Sequence, residues 1–301
     1  LTYSALYRKN VYVPSGFYYA SGTLNVQNMG ISPRRGQRIF GDACETSIII
    51  GNRVDMFNLN TINQGSVTFE KIGLWARQRT PITPYTTNDT GTGIVRTAGN
   101  IRLRLKEVLF RNFETCVDGS LGSWLTQIHD SEFIGCRYGL KLKDSYGVVI
   151  KGNNFICGTA IHSPTSALLQ CEISNNHFDI GTFREVDNVL RPYSTVDVAT
   201  QGVDFNNNYF EIYAPVDPAH IVLDIHSQIS DRSSFKETYI NVGSNVCILR
   251  RMNSTVTTSH SQQLTFDKTT LIASDAATKK SWWTFDPSLL YFVYKYDDII
   301  K

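Results

Sequence analysis

Ile128-His-Asp-Ser-Glu-Phe133, Ile150-Lys-Gly-Asn-Asn-Phe155 and Ile173-Ser-Asn-Asn-His-Phe178 are three versions of one phrase. Each sets a phenylalanine five positions after an isoleucine, and the phenylalanines recur after 22 and then 23 residues. A fixed period in the twenties marks a solenoid, in which one short unit stacks on the next. The unit is too short for a helical repeat, and the Gly and Asn around it are turn residues, so the pattern predicts a β-solenoid. Stacked strands lie about 4.8 Å apart, which aligns like residues into columns and makes the Ile and Phe positions one continuous core.

The phrase extends both ways. Leu105-Lys-Glu-Val-Leu-Phe110 precedes Phe133 by 23 residues, and Phe205-Asn-Asn-Asn-Tyr-Phe210 ends 32 residues after Phe178. The roughly ten extra residues of that last coil belong in a surface loop. Asn153, Asn176 and Asn208 occupy one position of the phrase, where Val108 and Ser131 stand in the other two copies. A column of Asn can hydrogen-bond along the stack and tolerates left-handed backbone.

The chain has 301 residues, 42% of them hydrophobic and 19% charged, which fits a folded all-β protein and excludes a disordered one. With 29 basic against 27 acidic residues the net charge is +2, too balanced for a nucleic-acid binder. No apolar run reaches the length of a membrane span. The six cysteines (44, 116, 136, 157, 171 and 247) contain no Cys-x-x-Cys pair and read as free thiols, with Cys171 on the buried side of a strand. Free thiols predict folding in a reducing compartment. The chain starts at Leu1 without a signal peptide, as expected of a piece of something longer.

Near the N-terminus, Asn10-Val-Tyr-Val-Pro-Ser-Gly-Phe-Tyr-Tyr19, Gln37-Arg-Ile-Phe-Gly-Asp42 and Ser47-Ile-Ile-Ile-Gly51 read as short strands broken by Gly and Pro. Val-Tyr-Val-Pro-Ser-Gly followed by Arg-Ile-Phe-Gly-Asp and an Ile-rich strand resembles the start of the pectate-lyase-like right-handed parallel β-helix of bacteriophage tailspikes and capsule depolymerases. With the repeat, the resemblance covers about residues 8 to 250. It implies a right-handed parallel β-helix over residues 1–252 and a strand-rich C-terminal cap over 253–301, where the repeat fades and which would help form a homotrimer. It also implies a virion-tail protein, folded in the host cytoplasm, that acts on bacterial surface polysaccharide without cofactor or metal.

The copies predict a further strand after each Phe: Cys116-Val-Asp118, Gly139-Leu-Lys-Leu142, Ala160-Ile-His162 and Glu185-Val-Asp187. With Val117, Leu140, Ile161 and Val186 inward, Asp118, Lys141, His162 and Asp187 form an outer column, which Asp224 and His226 of His220-Ile-Val-Leu-Asp-Ile-His226 would join. A second outer column lies on the strand before the Asn turn: Arg104, Gln127, Val149, Glu172 and Asp204, with the two acids as stacked neighbours whose charges repel.

Glycosidic hydrolysis needs one acid for the leaving oxygen and one carboxylate as base or nucleophile, about 5–5.5 Å apart for retention and about 6.5–9.5 Å for inversion. Glu185 and Asp187 on one strand face would be roughly 6.6–6.8 Å apart at Cβ, and Asp187 with Asp224 on neighbouring coils could satisfy either range. In the family that the chain resembles, the sheet after the Phe column commonly carries the active site. That makes Glu185, Asp187, Asp224 and His162 the first candidate set, with Glu172 and Asp204 second. Lys141, Asp118, Trp124 and Arg104 are candidate substrate contacts, and Trp75, Trp124, Tyr138, Tyr146 and Tyr193 could stack on sugars. The alternatives are β-elimination on a uronic-acid polymer, with Lys141, Lys143 or His162 as base, and a non-catalytic glycan-binding spike.

Overall fold

In the computed structural model, the described residues are 10–26, 36–52, 55–60, 65–77, 91–97, 102–180, 194–212, 220–227, 233–242, 246–253, 265–273 and 283–285. Over these the chain is a right-handed parallel β-helix without helices. Each coil contributes a strand to each of three faces, and every strand pairs in parallel with its equivalent one coil on.

The first face carries the Ile column: Leu105, Ile128, Ile150, Ile173, Phe205, Phe235 and Phe266 are in register. The second carries the Phe column, from Phe110 through Phe133, Phe155, Phe178 and Phe210 to Ile240. Its rings stack at centroid distances of 5.1, 4.6, 5.2 and 4.5 Å, close to the rung spacing, so aromatic stacking and backbone pairing favour the same register. The third face aligns Ile94, Val117, Leu140, Ile161, Val196, Leu223, Leu249 and Trp283. The described members of the three columns are buried in one core.

The corner between the first two faces is built by the Asn ladder. Asn176 Nδ2 donates to Ile150 O and to Asn208 Oδ1, while its own Oδ1 accepts from Asn153 N and Asn153 Nδ2, all at 3.0–3.1 Å. Ser131 continues the ladder, its backbone N donating to Asn153 Oδ1 and its hydroxyl accepting from Val108 N. The residue just before each ladder position is left-handed: Glu107, Asp130, Gly152, Asn175 and Asn207. Only one of these is glycine, so the strain of about 1–2 kcal/mol at each other corner is offset by the buried hydrogen bonds beside it.

Cys116, Cys136, Cys157 and Cys171 are free and buried, and burial pushes the Cys171 thiol up to about 11. Leu103 and Leu105 face in while Arg102, Arg104 and Lys106 are exposed, as their alternation predicts. Past 252 the pairing continues: Thr265–Asp267, Thr270–Ala273 and Trp283–Phe285 each lie in parallel on the coil before. The fading of the Ile/Phe spacing there is thus not an end of the ladder. Residues 78–90, rich in Thr and Pro, and Tyr193 lie outside the described residues.

Candidate functional site

The outer column of the third face is Asp118, Lys141, His162, Asp197 and Asp224, each in register with the next. The place beside His162 that spacing assigns to Asp187 belongs to Asp197. Glu185, Val186 and Asp187 lie outside the described residues. The reason is where the long coil holds its extra residues. From Phe155 to Ile161 the chain takes six steps, but from Phe178 to the equivalent Val196 it takes 18, so the insertion falls between the second and third faces. The Ser194–Gln201 strand then buries both Val196 and Val198, one on each side of Asp197. The alternation in Ser194-Thr-Val-Asp-Val-Ala-Thr200 is the sequence signal that points to it, and it is more regular than Glu185-Val-Asp-Asn-Val189.

Around Asp197 the side chains close into a cluster. His162 Nδ1 is 3.0 Å from Asp197 Oδ2, and His226 Nε2 is 2.9 Å from Asp197 Oδ1, so each carboxylate oxygen holds one imidazole. His226 Nε2 is also 3.8 Å from Asp224 Oδ1, and Ser194 Oγ donates to Asp224 Oδ2 at 3.2 Å. Asp224 is in the outer column as expected, yet its side chain is only 3% exposed, against 18% for Asp197 and 31% for His162. Burial by itself would raise the Asp197 carboxyl, but the hydrogen bonds and charges of the two histidines outweigh it and pull the carboxyl down to about 2. Asp197 is therefore ionised at neutral pH. His162 therefore donates to the ionised Asp197 from Nδ1, and its Nε2 has no protein partner among the described residues.

One ligand atom from each of Asp197, Asp224 and His226 lies within 4.8 Å of the others, a grouping able to hold a divalent cation. Spacing alone did not suggest that grouping, because it needs Asp197.

The other candidates divide between two faces. Lys141 Nζ sits 4.2 Å above the Tyr138 ring, whose centroid is 5.1 Å from that of His162, so these two residues adjoin the cluster. Asp118 accepts a hydrogen bond from Ser120 N at 2.9 Å, a local turn two rungs from His162. Arg104, Glu172 and Asp204 align as predicted, but on the first face, away from the histidines. There Ser174 Oγ donates to Glu172 Oε1 and Ser234 Oγ to Asp204 Oδ1, both at 2.6 Å. Trp124 is 51% exposed and lies 6.0 Å from Tyr146, ring centroid to ring centroid.

The strands that carry this cluster are those of a right-handed parallel β-helix. Comparison with solved structures agrees for the fold. The tailspike protein of Acinetobacter baumannii phage AM24 aligns with 95% of this chain and 48% of its own, at 10% identity and a TM-score of 0.57. The DFA-IIIase of Arthrobacter chlorophenolicus A6, in complex with DFA-III, aligns over 90% of this chain and 77% of its own, at 10% identity and TM-score 0.53. The catalytic domain of a GH87 alpha-1,3-glucanase bound to tetrasaccharides aligns over 93% of this chain and 64% of its own, at 10% identity and TM-score 0.52. The chain thus spans less than two thirds of the glucanase domain and about half of the tailspike. No protein-family model matches the sequence, and no curated protein matches it.

Proposed function

We propose that this protein is a glycan-degrading enzyme of tailspike type that hydrolyses a bacterial surface polysaccharide. The observation that carries the reading is the pair Asp197 and Asp224 on adjacent rungs, with His226 spanning them and His162 held by the first. The nearest carboxylate oxygens lie within 4.8 Å, closer to the roughly 5–5.5 Å of retaining than to the roughly 6.5–9.5 Å of inverting enzymes. Asp197, permanently ionised, is the carboxylate that meets the anomeric carbon. Asp224 is the second acid, which gives a proton to the leaving oxygen and takes one back from the water that completes hydrolysis. His162 and His226 hold Asp197 in position for its attack, one on each carboxylate oxygen. The outer wall of a β-helix suits an extended polymer, and the likeness to a tailspike protein, an alpha-1,3-glucanase and a DFA-IIIase supports a glycan in that role. Action at a virion tail, as a homotrimer, belongs to the same proposal.

The test is to incubate the protein with capsule, exopolysaccharide and lipopolysaccharide and to measure new reducing ends, with the anomeric configuration of the product read by NMR. Reducing ends without double bonds, lost in Asp197→Asn, are the expected result. A second reading, β-elimination from a uronic acid, is favoured by His162 Nε2, which has no partner among the described residues, beside Tyr138 and Lys141. It would show as ultraviolet absorbance of an unsaturated product. Neither signal together with retained binding would leave a passive adhesin.

A further inference from the structure

A hollow of about 560 Å³ opens beside Trp124 and Tyr146, within the roughly 300–1,000 Å³ usual for small-ligand sites. Its walls pair two exposed rings, set at 50° to each other, with the polar groups of Asp144, Thr165, Ser166 and Gln201. The wall toward His162 is a bulge. The strand Asn154–Leu169 shifts register between Ser163 and Ala167 against its neighbour, which lifts three residues out of the ladder. That bulge is braced: Ser163 Oγ donates to Ser166 O at 2.7 Å, and Ser166 Oγ both accepts from Asp144 N and donates to Asp144 Oδ1. The hollow is therefore built into the fold and separated from the Asp197 cluster by a fixed ridge.

Its chemistry names an occupant. Two tilted rings offer apolar faces to the C–H face of a pyranose, and the polar rim offers donors and acceptors to equatorial hydroxyls. The sole charge among the lining residues is the Asp144 carboxylate, exposed and without an ion pair among the described residues. A uronate placed here would bring its carboxylate against Asp144. We infer that this hollow is a second glycan subsite that takes an uncharged pyranose unit and rejects a uronic acid. The inference rests on the glycan-degrading reading for its ligand class, but not on the chemistry at Asp197.

The experiment uses the full chain and two oligosaccharides of equal length, a neutral hexose oligomer and an oligogalacturonate, titrated by calorimetry and tryptophan fluorescence. The neutral oligomer is expected to bind, Trp124→Ala to weaken it about tenfold and Trp124→Phe to restore most of the loss. Oligogalacturonate is expected to bind at least about tenfold more weakly than the neutral oligomer, and Asp144→Asn to narrow that gap. Thermal unfolding of each variant separates lost binding from lost folding. Equal affinity for both oligomers, or Trp124→Ala binding unchanged in a folded protein, overturns the inference even if the enzyme cleaves polysaccharide. Trp124-dependent binding in a protein that cleaves nothing supports the subsite and overturns the catalytic reading instead.

Discussion

Two of the acid pairs stacked among the described residues differ in everything except their stacking. Glu172 and Asp204 on the first face are neighbours one rung apart, each answered by a serine hydroxyl, with Asp204 exposed. Asp197 and Asp224 on the third face are also one rung apart, but Asp224 is buried and Asp197 half-buried among two histidines and Ser194. A solenoid delivers adjacent carboxylates wherever acids fall at the same point of two consecutive coils. What makes a site is what encloses them. Burial strengthens each charge interaction, and an imidazole can hold a carboxylate ionised and still move a proton.

The sharpest way to break this contrast is to remove one charge from each pair. Asp197→Asn is expected to lower the rate of polysaccharide cleavage by about 10²–10⁴-fold, the usual contribution of a group handling protons or charge in the transition state. Asp204→Asn should cleave within about twofold of the parent; equal losses in both would put the contrast in doubt. The next effect concerns the scaffold that aligns both pairs. Asn176→Ala removes buried donors and acceptors on three rungs and should destabilise the fold by about 2–4 kcal/mol in urea unfolding.

Acid titration then separates the pairs again. The Asp197 carboxyl is depressed from 3.8 to about 2 in the folded protein, so its contribution to stability is fully present above pH about 4 and is lost as pH falls through about 2. The size expected is about 2 kcal/mol, seen as a stability difference between parent and Asp197→Asn that shrinks over that window. A difference that stays constant from pH 6 to pH 2 would remove the histidine clamp from the account. The smallest effect belongs to Glu172→Gln, which should leave stability within about 0.5 kcal/mol, as for a solvated surface carboxylate.

Much of the scaffold was legible before any coordinates. The isoleucine and phenylalanine columns, the Asn ladder at 153, 176 and 208, and the alignment of Arg104 with Gln127, Val149, Glu172 and Asp204 all follow from residues that recur at a near-constant interval. His162 and Lys141 fall in their outer column for the same reason, and Asp224 does so through the alternation of residues 220–226. Asp197 was not, because counting forward from Phe178 assumes that the path to the third face has constant length. The left-handed corners also sit one residue before the Asn positions rather than on them, since the side chain that bonds along the stack must itself be in the buried turn.

Sequence by itself determined the coil, its period and which residues fill its core, since burying apolar side chains at a fixed rung spacing leaves one register for each repeated phrase. Tertiary structure alone decided which acid stands beside His162. A loop between two faces can take up any number of residues without disturbing the rungs on either side. The strand that resumes is the one whose alternation buries two valines, and that choice is made by packing against the neighbouring coils.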